Sequence, residues 1–232
     1  MNNTLARTVK QIGVVAIVVF AIFIGNHFLP AQHNPLRPIS LNDPIGVATH
    51  FKLQRIKADP VLCYSLLAKA GVEYTQLGDD AGTERCPLAN VSVLDQSTLP
   101  YSVAPLRMSC HQIASLYIWE REIVAPAAED ILGSPVEEVL TYGSFSCRNI
   151  AGSKRLSEHG RANAIDIRGF RLANGETVDV RQDWRGDNEK GEFLFAVRDG
   201  ACRLFSVVLG PDYNAAHADH FHMDMGNSSI CR

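Results

Sequence analysis

The chain has 232 residues, of which 46% are apolar and 20% charged, with a formal net charge of −3. That apolar content argues against wholesale disorder, and the acidic balance leaves no basic footprint, so no nucleic-acid partner is expected. The length allows one or two domains.

Residues 1–11 carry Arg7 and Lys10 and are read as a cytoplasmic N-terminus. The next 13 positions, 12–24, are apolar or glycine throughout, and the run becomes 18 positions long if it is carried across Asn26 and His27 to Leu29. A spanning helix needs roughly 17–25 residues and the core of a signal peptide about 7–15, so residues 12–29 fit either a transmembrane anchor or a signal segment. No clear small-x-small cleavage site follows, which favours the anchor. Positive charge before the run, and none after it until Arg37, predicts a single-pass inner-membrane protein whose remainder lies in the periplasm.

Residues 30–57 hold Pro30, Pro35, Pro38 and Pro44 with little periodicity, and are expected to form an extended linker. Residues 58–232 then read as one folded domain. A helix is expected over 61–70, with Leu62, Leu66 and Leu67 in register and Gly71 as its stop. A strand is expected over 91–94, and a long helical stretch over 108–132, broken at Pro126 and ended by Gly133. Further strands are expected over 136–142, 163–170 and 177–180, the last two joined through the hairpin signal Asn174-Gly175. A short helix over 193–197 and strands over 204–209 and 221–225 complete the pattern. Helices first and antiparallel strands last indicate an α+β fold. The six cysteines, Cys63, Cys86, Cys110, Cys147, Cys202 and Cys231, all follow the apolar run and make no metal-binding spacing, so three disulfides are expected in an exported domain. Pairing in chain order closes the shortest loops (63–86, 110–147, 202–231). Trp119 and Trp184 are expected to pack in the interior.

Two segments carry the chemistry. SEHGRANAIDIRG spans 157–169 and HADHFHMDMG spans 217–226, and together they hold four of the five histidines that lie beyond the linker. On a strand, His220, His222 and Asp224 share one face; on another, Ala164, Asp166 and Arg168 do, with Ile165 and Ile167 opposite. His159 precedes the second strand in a loop. Adjacent strands of this kind can bring two imidazoles and a carboxylate to one point, a donor set for Zn²⁺ that leaves a fourth position open. A carboxylate between Ile165 and Ile167 is costly unless it is paired or metal-bound.

SEHGRANAID is similar to the SxHxxGxAxD motif of the D-Ala-D-Ala metallopeptidases, with Ala162 where the motif has glycine. The run His217, His220, His222 resembles the HxxHxH segment of the penicillin-insensitive murein endopeptidases. Both groups belong to the lysostaphin, D-Ala-D-Ala metallopeptidase and hedgehog superfamily. The exported region as a whole, including GSFSCR, resembles the bacterial extensin-like C-terminal domain family. The resemblance implies a small antiparallel sheet carrying a zinc site, flanked by helices and stapled by disulfides. It implies His159, Asp166 and His222 as ligands, His220 as catalytic base and His217 as a pocket histidine. Arg148 is a candidate for stabilising an oxyanion, and Ser157, Asp219 and Asp224 for orienting the site. The function so implied is zinc-dependent hydrolysis of amide bonds in peptidoglycan stem peptides, of DD-endopeptidase or carboxypeptidase type. The alternative is a non-catalytic zinc-containing module that binds cell wall or a partner.

Overall fold

The computed structural model describes residues 3–78 and 81–232. Met1 and Asn2, part of the expected segment 1–11, lie outside them. Helix α1 (Asn3–Phe28) extends the apolar run at its N-terminal end and, from Arg7 to Phe28, is long and apolar enough to cross a membrane, with none of that stretch buried.

Residues 30–57 differ from the expected extended linker. A 3-10 turn (Ala31–His33) is followed by helix α2 (Thr49–Ile56), and Ile39, Leu41, Leu53 and Ile56 join the main core. The prolines lie before the helix, and Leu53 and Ile56 fall three apart on the face that meets the domain. A helix this short gives too few turns for its period to stand out in the sequence.

Helix α3 (Pro60–Ala70) matches the expectation. Asp59 caps it by accepting from Leu62 N, and Gly71 ends it at φ 79°. Strands β1 (Glu73–Gln76), β2 (Val91–Gln96) and β3 (Leu106–Ser109) form a three-stranded antiparallel sheet. The outer two have only four residues each and offer little alternation to read.

Pro126 does not break the long helical stretch. Helix α4 (Cys110–Trp119) leads into a π-helical turn (Glu120–Val124), then into helix α5 (Ala125–Leu132), which Gly133 ends at φ 61°. The wider turn lets Ala125 N–H reach Glu120 O and places Pro126 in the first turn of α5, where a missing N–H costs least. All ten residues of α4 are buried, so it runs through the core rather than over it. Glu120 is itself fully buried, and its carboxylate accepts from the hydroxyls of Ser97, Thr98 and Tyr101 and from the Thr98 and Leu99 amides.

The second sheet is built on strand β5 (Ala164–Leu172). Strand β4 (Val136–Gly143) pairs along one edge; β8 (Phe221–Asp224) and then β6 (Thr177–Asp179) share the other. Strand β7 (Val207–Leu209) follows β8, and β9 (Ile230–Cys231) lies parallel to β7. The Asn174-Gly175 hairpin joins β5 to β6 as expected, with Gly175 at φ 87°. Helix α6 (Val180–Asp183) is a single turn. Helix α7 (Glu189–Ala201) outruns the expected residues 193–197 at both ends and is capped by Asn188. It packs behind the sheet, where Phe170 lies against both Trp119 and Phe193. Both tryptophans are interior, Trp184 against Phe195 and Phe221. The architecture is α+β with antiparallel sheets.

Three disulfides form, but only Cys202–Cys231 follows chain order; the others are Cys63–Cys110 and Cys86–Cys147. Loop-closure entropy grows only with the logarithm of loop length, so a preference for short loops is worth only about 1 kcal/mol here. Packing of α3 on α4 decides the first pair instead. In the chain-entropy account, the loop of 47 residues closed by Cys63–Cys110 stabilises the fold by about 4 kcal/mol. The paired change Cys63→Ser/Cys110→Ser is therefore expected to lower unfolding free energy in urea by that order. Peptide mapping of unreduced protein should recover the crossed pairs and not the sequential ones.

His111 on α4 is buried, and burial first, with the charge of Lys57 second, lowers it from 6.5 to about 4. The unfolded chain then binds more protons between those two values, so stability is full above pH 6.5 and falls as pH drops through about 4. The contribution at stake is about 3 kcal/mol. Replacing His111 by Leu should flatten that part of the acid limb in pH-dependent denaturation; an unchanged limb would show that His111 is not buried neutral.

Candidate metal centre

The register of β5 against β8 builds the site. Asp166 lies opposite His222, and Ala164 opposite Asp224. His159 comes from a 3-10 turn (Glu158–Arg161) placed just before β5. Ser157 caps that turn, its Oγ accepting from His159 N at 3.3 Å. Ala162 closes the turn in the left-handed region, at φ 53°. The loop is fixed from the other side by Arg148, whose carbonyl accepts from Ser157 N at 3.0 Å.

Three atoms meet at the centre. His159 Nε2, Asp166 Oδ1 and His222 Nδ1 are separated by 3.1, 3.0 and 3.0 Å. The edge of a tetrahedron around zinc, with N and O ligands near 2.1 Å, is about 3.4 Å, so the triangle needs to open by only a few tenths of an ångström. The outward nitrogens are both engaged by acceptors. His159 Nδ1–H donates to Ser144 O at 2.8 Å and His222 Nε2–H to Asp224 Oδ2 at 3.0 Å. Asp224 is held in turn by Gly226 N. Each imidazole therefore turns a lone pair inward, toward the other's lone pair and a carboxylate oxygen. Such an arrangement is repulsive unless a cation sits among them, and these residues fit a metal ion on that ground. In the metal-free cluster a proton takes that place. Burial opposes charge on His222, but hydrogen bonds and charge from Asp166 and Asp224 outweigh it and raise His222 to about 9. Burial likewise pushes Asp166 up, yet hydrogen bonds from His159 and His222, together with their charge, hold it far below the usual carboxylate range.

His220 sits just before β8 on the same side. Its Nε2 is 3.6 Å from Asp166 Oδ1, and its Nδ1–H donates to Asp219 Oδ1 at 2.8 Å. Tyr142 hydroxyl donates to the other Asp219 oxygen, and the Tyr142 ring meets His220 edge-on. The hydrogen bond from His220 keeps the Asp219 carboxyl below its ordinary range. His217 is half-buried, in ring contact with His220 and His222, and bonds Asn214 through Nδ1. Burial, then the neighbouring His220 and His222, lower it to about 4. Arg148 is exposed on this side of the molecule, and its charge adds to the lowering of His217. Its guanidinium makes no hydrogen bond or ion pair among the described residues.

The structure thus brings together His159, Asp166 and His222, with His220 and His217 beside them and Asp219 and Asp224 as their orienting partners. Sequence reasoning missed Tyr142 and the Ser144 carbonyl. Tyr142 lies in the expected strand over 136–142, but nothing in its spacing marks it as reaching Asp219. A main-chain acceptor has no residue signature at all.

Ala162 is the one departure from the similar motif, and its conformation explains why glycine suits that position. A left-handed alanine costs roughly 1–2 kcal/mol. Glycine would relieve this, but would lose about 0.5–1 kcal/mol in chain entropy and about 0.8 kcal/mol from a methyl that packs beside Leu88 and Val91. Ala162→Gly is expected to leave stability within about 1 kcal/mol of the parent. Ala162→Val should be clearly destabilised, because a β-branched side chain does not tolerate this conformation. Thermal denaturation of both variants checks the pair.

A family model described as Extensin-like protein C-terminus matches residues 61–232, and the chain belongs to that family. No curated protein matches it.

Proposed function

We propose that this protein is a zinc-dependent hydrolase of peptide amide bonds in peptidoglycan, anchored in the inner membrane with its folded domain in the periplasm. One observation carries the reading: two imidazole lone pairs and a carboxylate oxygen converge at 3.0–3.1 Å, with both outward N–H groups already donated to acceptors. The similarity of SEHGRANAID and HADHFH to the D-Ala-D-Ala metallopeptidases and murein endopeptidases supplies the substrate class. Three disulfides favour an oxidising compartment, and Arg7 and Lys10 ahead of α1 favour a cytoplasmic N-terminus.

His159, Asp166 and His222 would hold the zinc. When bound, it would lower the pKa of a coordinated water to about 7 and polarise the scissile carbonyl. The chain's own part centres on His220. Because Nδ1–H is donated to Asp219, Nε2 presents its lone pair toward the site, where it takes a proton from the attacking water and returns it to the leaving amine. Tyr142 steadies Asp219, so the imidazole is held in one tautomer and one orientation. Arg148, exposed and without a partner among the described residues, is available to a developing oxyanion.

The full chain, purified in detergent, is expected to contain about one equivalent of zinc. Ala at His159, Asp166 or His222 should abolish that content, and full retention in all three variants would overturn the ligand assignment. His220→Ala should keep zinc and fold while release of fragments from isolated peptidoglycan falls by about 10²–10⁴. Unmodified protein that binds zinc and wall peptides without cutting them would favour the binding module instead.

A further inference from the structure

The segment after α1 leaves no slack between membrane helix and domain. Asn34 Nδ2 donates to Asn26 Oδ1 at 3.0 Å, and the Arg37 guanidinium donates to Asn26 O at 2.9 Å, so the last turn of α1 is tied to residues 34–37. Residues 31–35 are tied to the domain in turn. Lys52 Nζ donates to Ala31 O at 2.6 Å, Val47 N to His33 Nδ1 at 3.3 Å, and Arg55 to Pro35 O at 3.2 Å. A Cβ on Gly46 would lie 2.3 Å from Gln32 O, a close approach only glycine permits.

Exposed apolar side chains concentrate in this stretch of the chain. Among the described residues, six of the twelve large apolar side chains exposed beyond α1 fall within residues 29–62, although that stretch is a small part of the whole. Leu36, Val47 and Phe51 are 64%, 85% and 51% exposed, and the contacts just given hold all three close to the end of α1. Arg55 lies over the Phe51 ring, and Arg37 caps the helix end, so two guanidinium groups border the patch. Apolar side chains flanked by arginine, continuous with a membrane-spanning helix, match the interface between acyl chains and anionic headgroups.

We infer that the face carrying Leu36, Val47 and Phe51 is seated in the headgroup region of the bilayer that α1 crosses, with Arg37 and Arg55 on lipid phosphates. The domain then rests on the membrane as one body with its anchor instead of hanging from a flexible stalk. The inference rests on α1 being a retained anchor and is independent of the zinc chemistry.

The test uses the full chain with Phe51→Trp, reconstituted in vesicles of phosphatidylcholine and phosphatidylglycerol. Native Trp119 and Trp184 are buried, so the added emission reports on position 51. Lipids brominated in the upper part of the acyl chain are expected to quench that emission, while aqueous iodide leaves it unaffected. Emission quenched by iodide and untouched by brominated lipid would overturn the seating, with the anchor intact. A chain washed from the vesicles by alkaline carbonate would overturn both. Neither result bears on metal content or hydrolysis, which are read from the zinc and peptidoglycan assays.

Discussion

Everything at the candidate centre depends on one pairing, the register that sets Asp166 across from His222. Side chains on a strand alternate, so a slip of one residue would turn Asp166 into the interior and send Ile165 or Ile167 to the site face. The interior face opposes that slip. Ile165, Ile167 and Phe170 are wholly buried, and Phe170 is gripped by Trp119 on one helix and Phe193 on another. Three apolar side chains of that size are worth several kcal/mol of burial, all of it forfeited by a slip whatever the site's own hydrogen bonds contribute. The geometry of the polar face is therefore enforced from the apolar one. The histidines do not assemble themselves.

A second layer of control acts on orientation. Each of four histidines has one ring nitrogen committed: His159 to Ser144 O, His222 to Asp224, His220 to Asp219 and His217 to Asn214. A free imidazole exchanges tautomers readily, and each of these contacts fixes the ring's orientation by engaging the nitrogen that points away from the other rings. The remaining nitrogens of His159 and His222, with that of His220 at 3.6 Å, face Asp166 Oδ1. That arrangement is the physical content of the proposed division of labour between ligands and base.

The legible parts of this protein were those with a strong period. Alternation in AIDIRG and HFHMD located β5, β8 and the shared face, and Asn174-Gly175 located the hairpin. Asp166 and His222 lie in those alternating segments, while His159 and the proposed ligand set came from the resemblance of SEHGRANAID to a known motif. What could not be read had no local signal. Strands β1 and β3 are four residues long. Helix α2 buries its residues against partners far along the chain, so a proline-rich stretch looked like a linker. The crossed disulfides depend on which helices pack, which a count of loop lengths does not contain. At Pro126 the local rule was sound, but a π-helical turn evaded it. Tyr142 and the Ser144 carbonyl reach the site only through the turn that ends β4.

Helix α4 has a consequence for how this fold can drift. Its ten positions are all interior, flanked by α3, α7 and both sheets, so none is free to vary on solubility grounds alone. Substitutions tolerated there should be governed by volume, and the usual beat of permissive positions every three or four residues should be missing. Among descendants of this chain, Cys110–Trp119 would change as a block of compensated replacements, while the surrounding surface helices diverge one residue at a time.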